Sequence, residues 1–252
     1  MNVTMIAIFF LFGLIFGSFF NVIGLRVPEN KPFANDRSAC PHCGHTLAWY
    51  ELIPVLSYIF QLGKCKHCYT KISFLYPAIE VLTGFLFMFS FMKFGFDMEL
   101  VIALLLVSML VILLVTDITY MLIPNKILLF FLPLFVFMRV IVPLDPWWSP
   151  IVGASIGFVI IMVVILVSRG GMGAGDMKLF TVLGVVLGTE NILLAFFLSC
   201  MIGAVIGVVL LVVGAIDRKQ PVPFGPYIVV ATLVTYFYGD LLRNWYVTTF
   251  LI

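Results

Sequence analysis

Long apolar runs, separated by short polar connectors, restrict this chain more than any other feature of its sequence. A helix that crosses a bilayer needs about 20 mostly apolar residues. Candidate spans of this kind are 5–25, 74–92, 99–116, 122–142, 151–168, 178–189, 191–214 and 226–250. In lipid every backbone N–H and C=O must bond within its own segment, so such runs are expected as helices. Only 10% of the 252 residues are charged, against roughly 25% in soluble domains. That is too little charge to cover a surface in water. The expected fold is an all-α polytopic membrane protein with about eight transmembrane helices.

The stretch from Leu179 to Gly214 is too long for one span, and Thr189-Glu190-Asn191 marks a break within it. Splitting there leaves a first half of about a dozen residues, roughly 18 Å long. The run from Met5 to Leu25 has no basic segment before it and no small-x-small cleavage site before Arg26 and Pro28. It reads as a retained anchor. Lys and Arg set the orientation. With the N-terminus outside, Arg26, Lys31, Arg37, Lys64, Lys66, Lys71, Lys126, Arg169, Lys178, Arg218 and Lys219 face the cytoplasm. Only Lys93, Arg139 and Arg243 lie elsewhere, a split of 11 to 3. The Asp145-Pro-Trp-Trp148 turn then suits the outer interface, where tryptophans collect.

Residues 26–73 form the one sizeable polar segment, expected as a small cytoplasmic domain inserted between the first two spans. The chain thus divides into a first helix (1–25), this insertion (26–73) and a membrane region (74–252). Of five cysteines, four make two CxxC pairs, Cys40-Pro-His-Cys43 and Cys65-Lys-His-Cys68, with 21 residues between them. Two such knuckles at that spacing suit one tetrahedral four-thiolate zinc ion. Two disulfides are the rival reading, and a reducing cytoplasm opposes them. His42, His45 and His67 are not needed, since four sulfurs fill a closed site. Such a site is structural, because no coordination position is left open. Cys200 reads as a small buried hydrophobe. The net charge of +2 offers no electrostatic case for a nucleic-acid partner.

Acidic residues number only 12, and two stand where lipid should exclude them. Asp117 closes the apolar run Leu110 to Thr116. Asp176 closes Gly171-Met-Gly173-Ala-Gly175-Asp176 and precedes another apolar run. A carboxylate near membrane depth is costly and points to function. Both fall at cytoplasmic span ends in this topology, so they can meet across 59 residues of sequence. Two adjacent carboxylates share one proton. The charged one can draw a proton from water while the neutral one donates to a scissile carbonyl, which is peptide hydrolysis without a covalent intermediate. Gly173 and Gly175 are expected to supply backbone conformations closed to other residues and to let a substrate chain approach. Lys178 stands two residues on, placed to tune the charge of Asp176. A phosphate-binding loop is excluded, because no strand precedes the glycines and no GK[ST] follows. The bland reading of each aspartate is a helix cap or a headgroup contact. Glycine content leads us to expect that the Met172 to Met177 region and the short sixth span are mobile, since a helical substrate must be unwound for cleavage.

With these residues in place the chain resembles the type IV prepilin peptidases, bacterial membrane enzymes of the GxGD aspartic protease class. The resemblance rests on Gly17-Ser-Phe-Phe-Asn21-Val, the two CxxC pairs, Glu51-Leu-Ile-Pro-Val-Leu-Ser57-Tyr and Tyr76-Pro-Ala-Ile-Glu80. It continues through Asp117 with Ile123-Pro124, Gly173-Ala-Gly175-Asp176-Met-Lys178 and Pro223-Phe-Gly-Pro226. It implies removal of a basic leader from prepilins or pseudopilins, on the N-terminal side of a hydrophobic helix, with Asp117 and Asp176 as the catalytic pair. It also implies methylation of the new N-terminal amine with S-adenosylmethionine, at the inner membrane of a bacterium.

Nothing in residues 26–73 reads as a Rossmann site. Glu51 and Glu80 are candidates for holding the amine or the cofactor, and Glu80 could equally pair with a nearby Lys or Arg. Asn21 reads as a helix–helix hydrogen-bonding residue. Two rivals remain. An ion-coupled transporter would place its acids mid-span and show inverted repeats. A non-catalytic scaffold docking through its zinc domain would survive loss of both aspartates.

Overall fold

A computed structural model describes residues 2–32, 37–168, 172–215 and 222–250. Arg169, Gly171, Arg218 and Lys219, used in the sequence reading above, lie outside the described residues. The chain divides into two compact units, Met1–Thr119 and Tyr120–Ile252.

The first unit contains α1 (Val3–Arg26), a short 3₁₀ turn (Trp49–Leu52), α2 (Leu56–Phe60), α3 (Leu75–Phe94) and α4 (Met98–Tyr120). Several side-chain hydroxyls within the spans bond to their own helix, as Thr83 does to the Ile79 carbonyl (2.7 Å) and Ser108 to that of Leu104 (2.6 Å). No polar atom of these side chains is then left facing lipid. α1 and α3 pack through small residues. A Cβ built on Gly13 would lie 2.6 Å from Gly84 Cα, and one on Gly17 would lie 2.8 Å from Glu80 Cα. The buried positions of α1 are Gly13, Gly17, Phe20, Asn21 and Gly24, one narrow stripe. Without a hydrophobic drive between helices in lipid, close backbone approach over glycine supplies the dispersion contact. α4 is the most enclosed span, with Ile102, Ala103, Leu106, Val107 and Leu110 fully buried.

The second unit contains α5 (Asn125–Ile141), α6 (Ser149–Val167), α7 (Ala174–Val212) and α8 (Gly225–Phe250). Here α7 is the hub, packing against α5, α6 and α8. Its contact with α6 again runs over glycine: a Cβ on Gly153 would lie 2.6 Å from the Gly184 carbonyl oxygen. The expected break near Thr189-Glu190-Asn191 is real and falls one residue earlier. Gly188 has φ 74° and ψ −175°, open to glycine at no steric cost. That break frees backbone groups, and side chains take them up. Arg139 of α5 donates to the Val186 carbonyl from Nε (3.1 Å) and from Nη2 (2.7 Å), and the Thr189 N–H donates to Ser149 Oγ of α6 (3.0 Å). Arg139, counted from sequence as an outer-face charge, is a buried brace at 7% exposure. Replacing it by Met keeps its bulk and removes both donors. We expect a loss of about 1–3 kcal/mol, read as a lowered Tm and faster amide exchange around 187–191.

The structure corrects the span count. Six helices among the described residues are long and apolar enough to cross a membrane: α1, α3, α4, α6, α7 and α8. The expected span 122–142 folds as α5, only 17 residues, because Pro124 ends the preceding connector and the helix stops at Ile141. The expected spans 178–189 and 191–214 are one 39-residue element bent at Gly188, since polar side chains hold the kink closed. The protein is an all-α, multi-pass membrane protein with a four-cysteine cluster able to hold a metal ion between its first two spans.

Candidate active site and metal centre

The two CxxC pairs converge. The Sγ atoms of Cys40, Cys43, Cys65 and Cys68 all lie within 4.8 Å of one another, those of Cys40 and Cys68 3.7 Å apart, and none is in a disulfide. Zinc–sulfur bonds of about 2.3 Å in a tetrahedron put sulfurs about 3.8 Å apart, so the donor set fits a four-thiolate ion.

Each pair sits in the same backbone knuckle. The Cys40 N–H donates to the His45 carbonyl and the Gly44 N–H to that of Cys40, both at 2.9 Å, while Ala39 bridges Thr46. At the same offset, the Cys65 N–H donates to Thr70 (2.9 Å), the Tyr69 N–H to Cys65 (3.0 Å), and Lys64 bridges Lys71. This short repeat escaped the sequence reading, although Cys-x-His-Cys occurs twice. Thiols must shed a proton to bind metal. The Thr70 hydroxyl and backbone N–H hold the Cys68 thiol down to about 6.

Gly44 turns its knuckle at φ 70°, whereas Tyr69 does the same work at φ 58°. A left-handed conformation costs a side-chain-bearing residue about 1–2 kcal/mol. Tyr69→Gly is therefore expected to stabilise the knuckle by about 1 kcal/mol after the entropy cost of glycine, seen as slower metal loss to a competing chelator.

Between the two CxxC pairs in sequence lies a tight turn. The Leu56 N–H bonds the Pro54 carbonyl two residues back (2.6 Å), with Val55 at φ 60° and ψ −49°. This is a γ-turn on a β-branched residue, strained by about 1–3 kcal/mol. Glu80 reaches it from α3: its Oε2 accepts the Val55 N–H at 2.7 Å. The expected Lys or Arg partner of Glu80 is not found among the described residues, and a backbone donor takes its place. Glu51 lies in the 3₁₀ turn, accepts the Ala48 N–H (2.8 Å) and stands 3.8 Å from His45 Nε2. Asn21 bonds α1 to α3 through the Tyr76 carbonyl (3.2 Å), as its reading required.

Asp117 lies in the last turn of α4 at 6% exposure. Asp176 lies in the first turn of α7 at 8% exposure, its Oδ2 accepting the Gly173 N–H at 3.1 Å. The glycines around Asp176 work differently from expectation. Gly173 has an ordinary φ of −76°, and neither it nor Gly175 has a positive φ. They supply room instead: a Cβ on Gly173 would lie 3.3 Å from Asp176 Oδ2, and one on Gly175 would lie 3.0 Å from Ile123 Cβ. Lys178 Nζ donates to Asn125 Oδ1 (3.0 Å). The glycine loop and the Ile123-Pro124-Asn125 segment are thus packed together.

Comparison with known proteins gives the family. The profile of the bacterial peptidase A24 N-terminal domain matches residues 11–94, and that of the type IV leader peptidase family matches residues 104–208. The chain belongs to the type IV leader peptidase family. It is 45% identical over 243 residues to a prepilin leader peptidase/N-methyltransferase of Bacillus subtilis, covering 96% of this chain and 98% of that one. It is 31% identical over 271 residues to a protein so named in Aeromonas hydrophila, covering 96% and 93%. No solved structure matches the chain.

Proposed function

We propose that the chain is an aspartic endopeptidase that removes the basic leader from type IV prepilin-like or pseudopilin proteins and then methylates the new N-terminal amine. The observation that carries this is a pair of buried carboxylates, Asp117 and Asp176, at ends of apolar spanning helices. Near full-length identity to prepilin leader peptidase/N-methyltransferases supports it.

In this reading the two aspartates form one dyad. We assign Asp176 to taking the proton from water and Asp117 to donating one to the scissile carbonyl oxygen. The resulting tetrahedral adduct collapses, and a proton passes to the leaving amine. Gly173 and Gly175 keep the loop slim enough for the Asp176 carboxylate to fold back. Lys178 anchors the loop to Asn125.

The dyad requires both aspartates on one face of the membrane. Six crossings alone would separate them, since only α6 would then intervene. α5 must therefore cross as well. Its 17 residues span about 26 Å, at the short end of what a bilayer core of about 30 Å accepts. α7, with 39 residues, carries about 58 Å of helix along two arms bent at Gly188. The excess of Lys and Arg then puts the dyad and the metal domain on the cytoplasmic side, next to anionic lipid and the basic leader.

Zinc is the proposed ion at Cys40, Cys43, Cys65 and Cys68. Four thiolates leave no open position, so its role is structural. S-adenosylmethionine would supply the methyl group. The described part of residues 26–73 holds only two isolated β-bridges and no strand–helix nucleotide cradle, so none of those residues is assigned to holding it. Glu51 and Glu80 remain the candidates for the amine.

The test is incubation of the purified chain with a prepilin-like substrate, followed by mass analysis of the product. A cut just before the apolar helix, plus one added methyl group when the donor is supplied, is expected. An uncut substrate with metal-loaded protein would overturn the reading.

A further inference from the structure

The first unit holds a polar site that peptide hydrolysis does not use. Glu80 is 7% exposed, and its carboxylate takes bonds from the Val55 N–H (2.7 Å) and the Ser18 hydroxyl. No Lys, Arg or His pairs with it among the described residues. A buried carboxylate with only neutral donors is costly, and a cation relieves that cost.

Asn21, 1% exposed, lies at the same helix contact. Gly17, one turn before it, meets Glu80 Cα, and Asn21 itself meets Tyr76, one turn before Glu80. Its Nδ2 donates to the Tyr76 carbonyl. A carbonyl only accepts, so this bond fixes which way the amide points. Oδ1 is consequently the free end, and it is buried with no hydrogen-bond partner. Buried polar atoms in native proteins are bonded, and each exception calls for a reason.

Two buried acceptors at one helix contact, one of them charged, lack a cationic donor. An ammonium carries both the charge that Glu80 needs and the N–H groups that Asn21 needs. A sulfonium centre has the charge and no N–H, so it alone would leave Oδ1 unbonded. A primary ammonium, whether a substrate's or a methyl donor's, satisfies both. Glu51 is a weaker candidate, because the His45 Nε2 already stands 3.8 Å from its Oε2. The Val55 N–H, presented by a strained γ-turn, occupies Glu80 until a better donor arrives.

We infer that Glu80 and Asn21 form a binding site for a primary ammonium group, the α-amino terminus exposed by leader cleavage. This rests on the reading of the chain as a leader peptidase and N-methyltransferase. The site holds the cleaved end in place for the second activity, and Glu80 and Asn21 act as positioning residues toward it.

The experiment uses purified full-length protein in detergent and three fluorescent peptides with the apolar start of a mature substrate. One has a free α-amine, one is N-acetylated, and one is N-acetylated with a lysine added. Binding is followed by anisotropy, and leader cleavage is assayed in parallel. Wild type should prefer the free amine over the acetylated peptide by at least about tenfold, the scale of one charge-assisted hydrogen bond. Glu80→Gln keeps an acceptor for the Val55 N–H and removes the charge, so it should erase the preference. If E80Q loses its metal, Asn21→Leu carries the same comparison, with the preference reduced several-fold. A purely structural Glu80 would shift both peptides alike, which overturns the inference. So does a wild type without preference, or one that favours the lysine peptide over the free α-amine. Intact preference without cleavage would instead count against the peptidase reading.

Discussion

Replacing either Asp117 or Asp176 by Asn is expected to lower leader cleavage by about 10³-fold or more, the range that a positioned acid or base contributes. Asparagine is the informative replacement at both positions. At Asp176 its amide oxygen can still accept the Gly173 N–H that the carboxylate now holds at 3.1 Å, so the start of α7 keeps its cap. Alanine would remove that cap and cost roughly 1 kcal/mol of helix stability, mixing a folding effect into the rate. At Asp117, which is only 6% exposed, asparagine keeps the volume of a side chain in a packed last turn. Bound metal and helix content should match wild type in both variants. Residual cleavage within about tenfold of wild type, in either one, would remove that residue from the proposed dyad.

The second large effect is expected from the metal. Within the described part of the segment between α1 and α3, the buried residues are Cys40, Glu51, Gly63 and Cys65. Two of these four are cysteines of the four-thiol cluster, and none is a large apolar side chain. A segment without its own apolar core depends on its ion, whose apparent binding free energy is about 10–16 kcal/mol at four-thiolate and related sites. One zinc per chain should be found by elemental analysis. Strong chelation, or Cys65→Ser, should abolish amide protection across 38–72 and leave α4 and α6 protected. Protection of 38–72 that survives metal removal would show that the knuckles fold without the ion.

Much of the candidate chemistry is legible in the sequence because it rests on exceptions. Asp117 and Asp176 stand out as acids among apolar residues, and the four cysteines stand out by spacing. Both signals are local, and both survive without knowledge of what packs where. The glycine roles are less legible. Gly173 and Gly175 suggest unusual backbone angles, yet what the fold requires of them is room beside a carboxylate and beside Ile123. A small side chain gives the same letter for either need. The small-residue stripe Gly13-x-x-x-Gly17 could have been found as a packing face for α1, although its partner, α3, could not.

The sequence by itself determined the solvent of this protein, the helical form of its spans, the positions of its two exceptional acids and the four cysteines that cluster. Each follows from composition and spacing, because lipid forbids unpaired backbone and thiolate pairs need little more than a tight knuckle. Only the tertiary structure decided that Arg139 braces the break at Gly188, that Tyr69 turns a knuckle without glycine, and that Glu80 bonds a strained turn instead of a basic side chain. These depend on which groups a neighbouring helix or loop brings within about 3 Å, where hydrogen bonds form. That distance is set by packing between elements far apart in the chain.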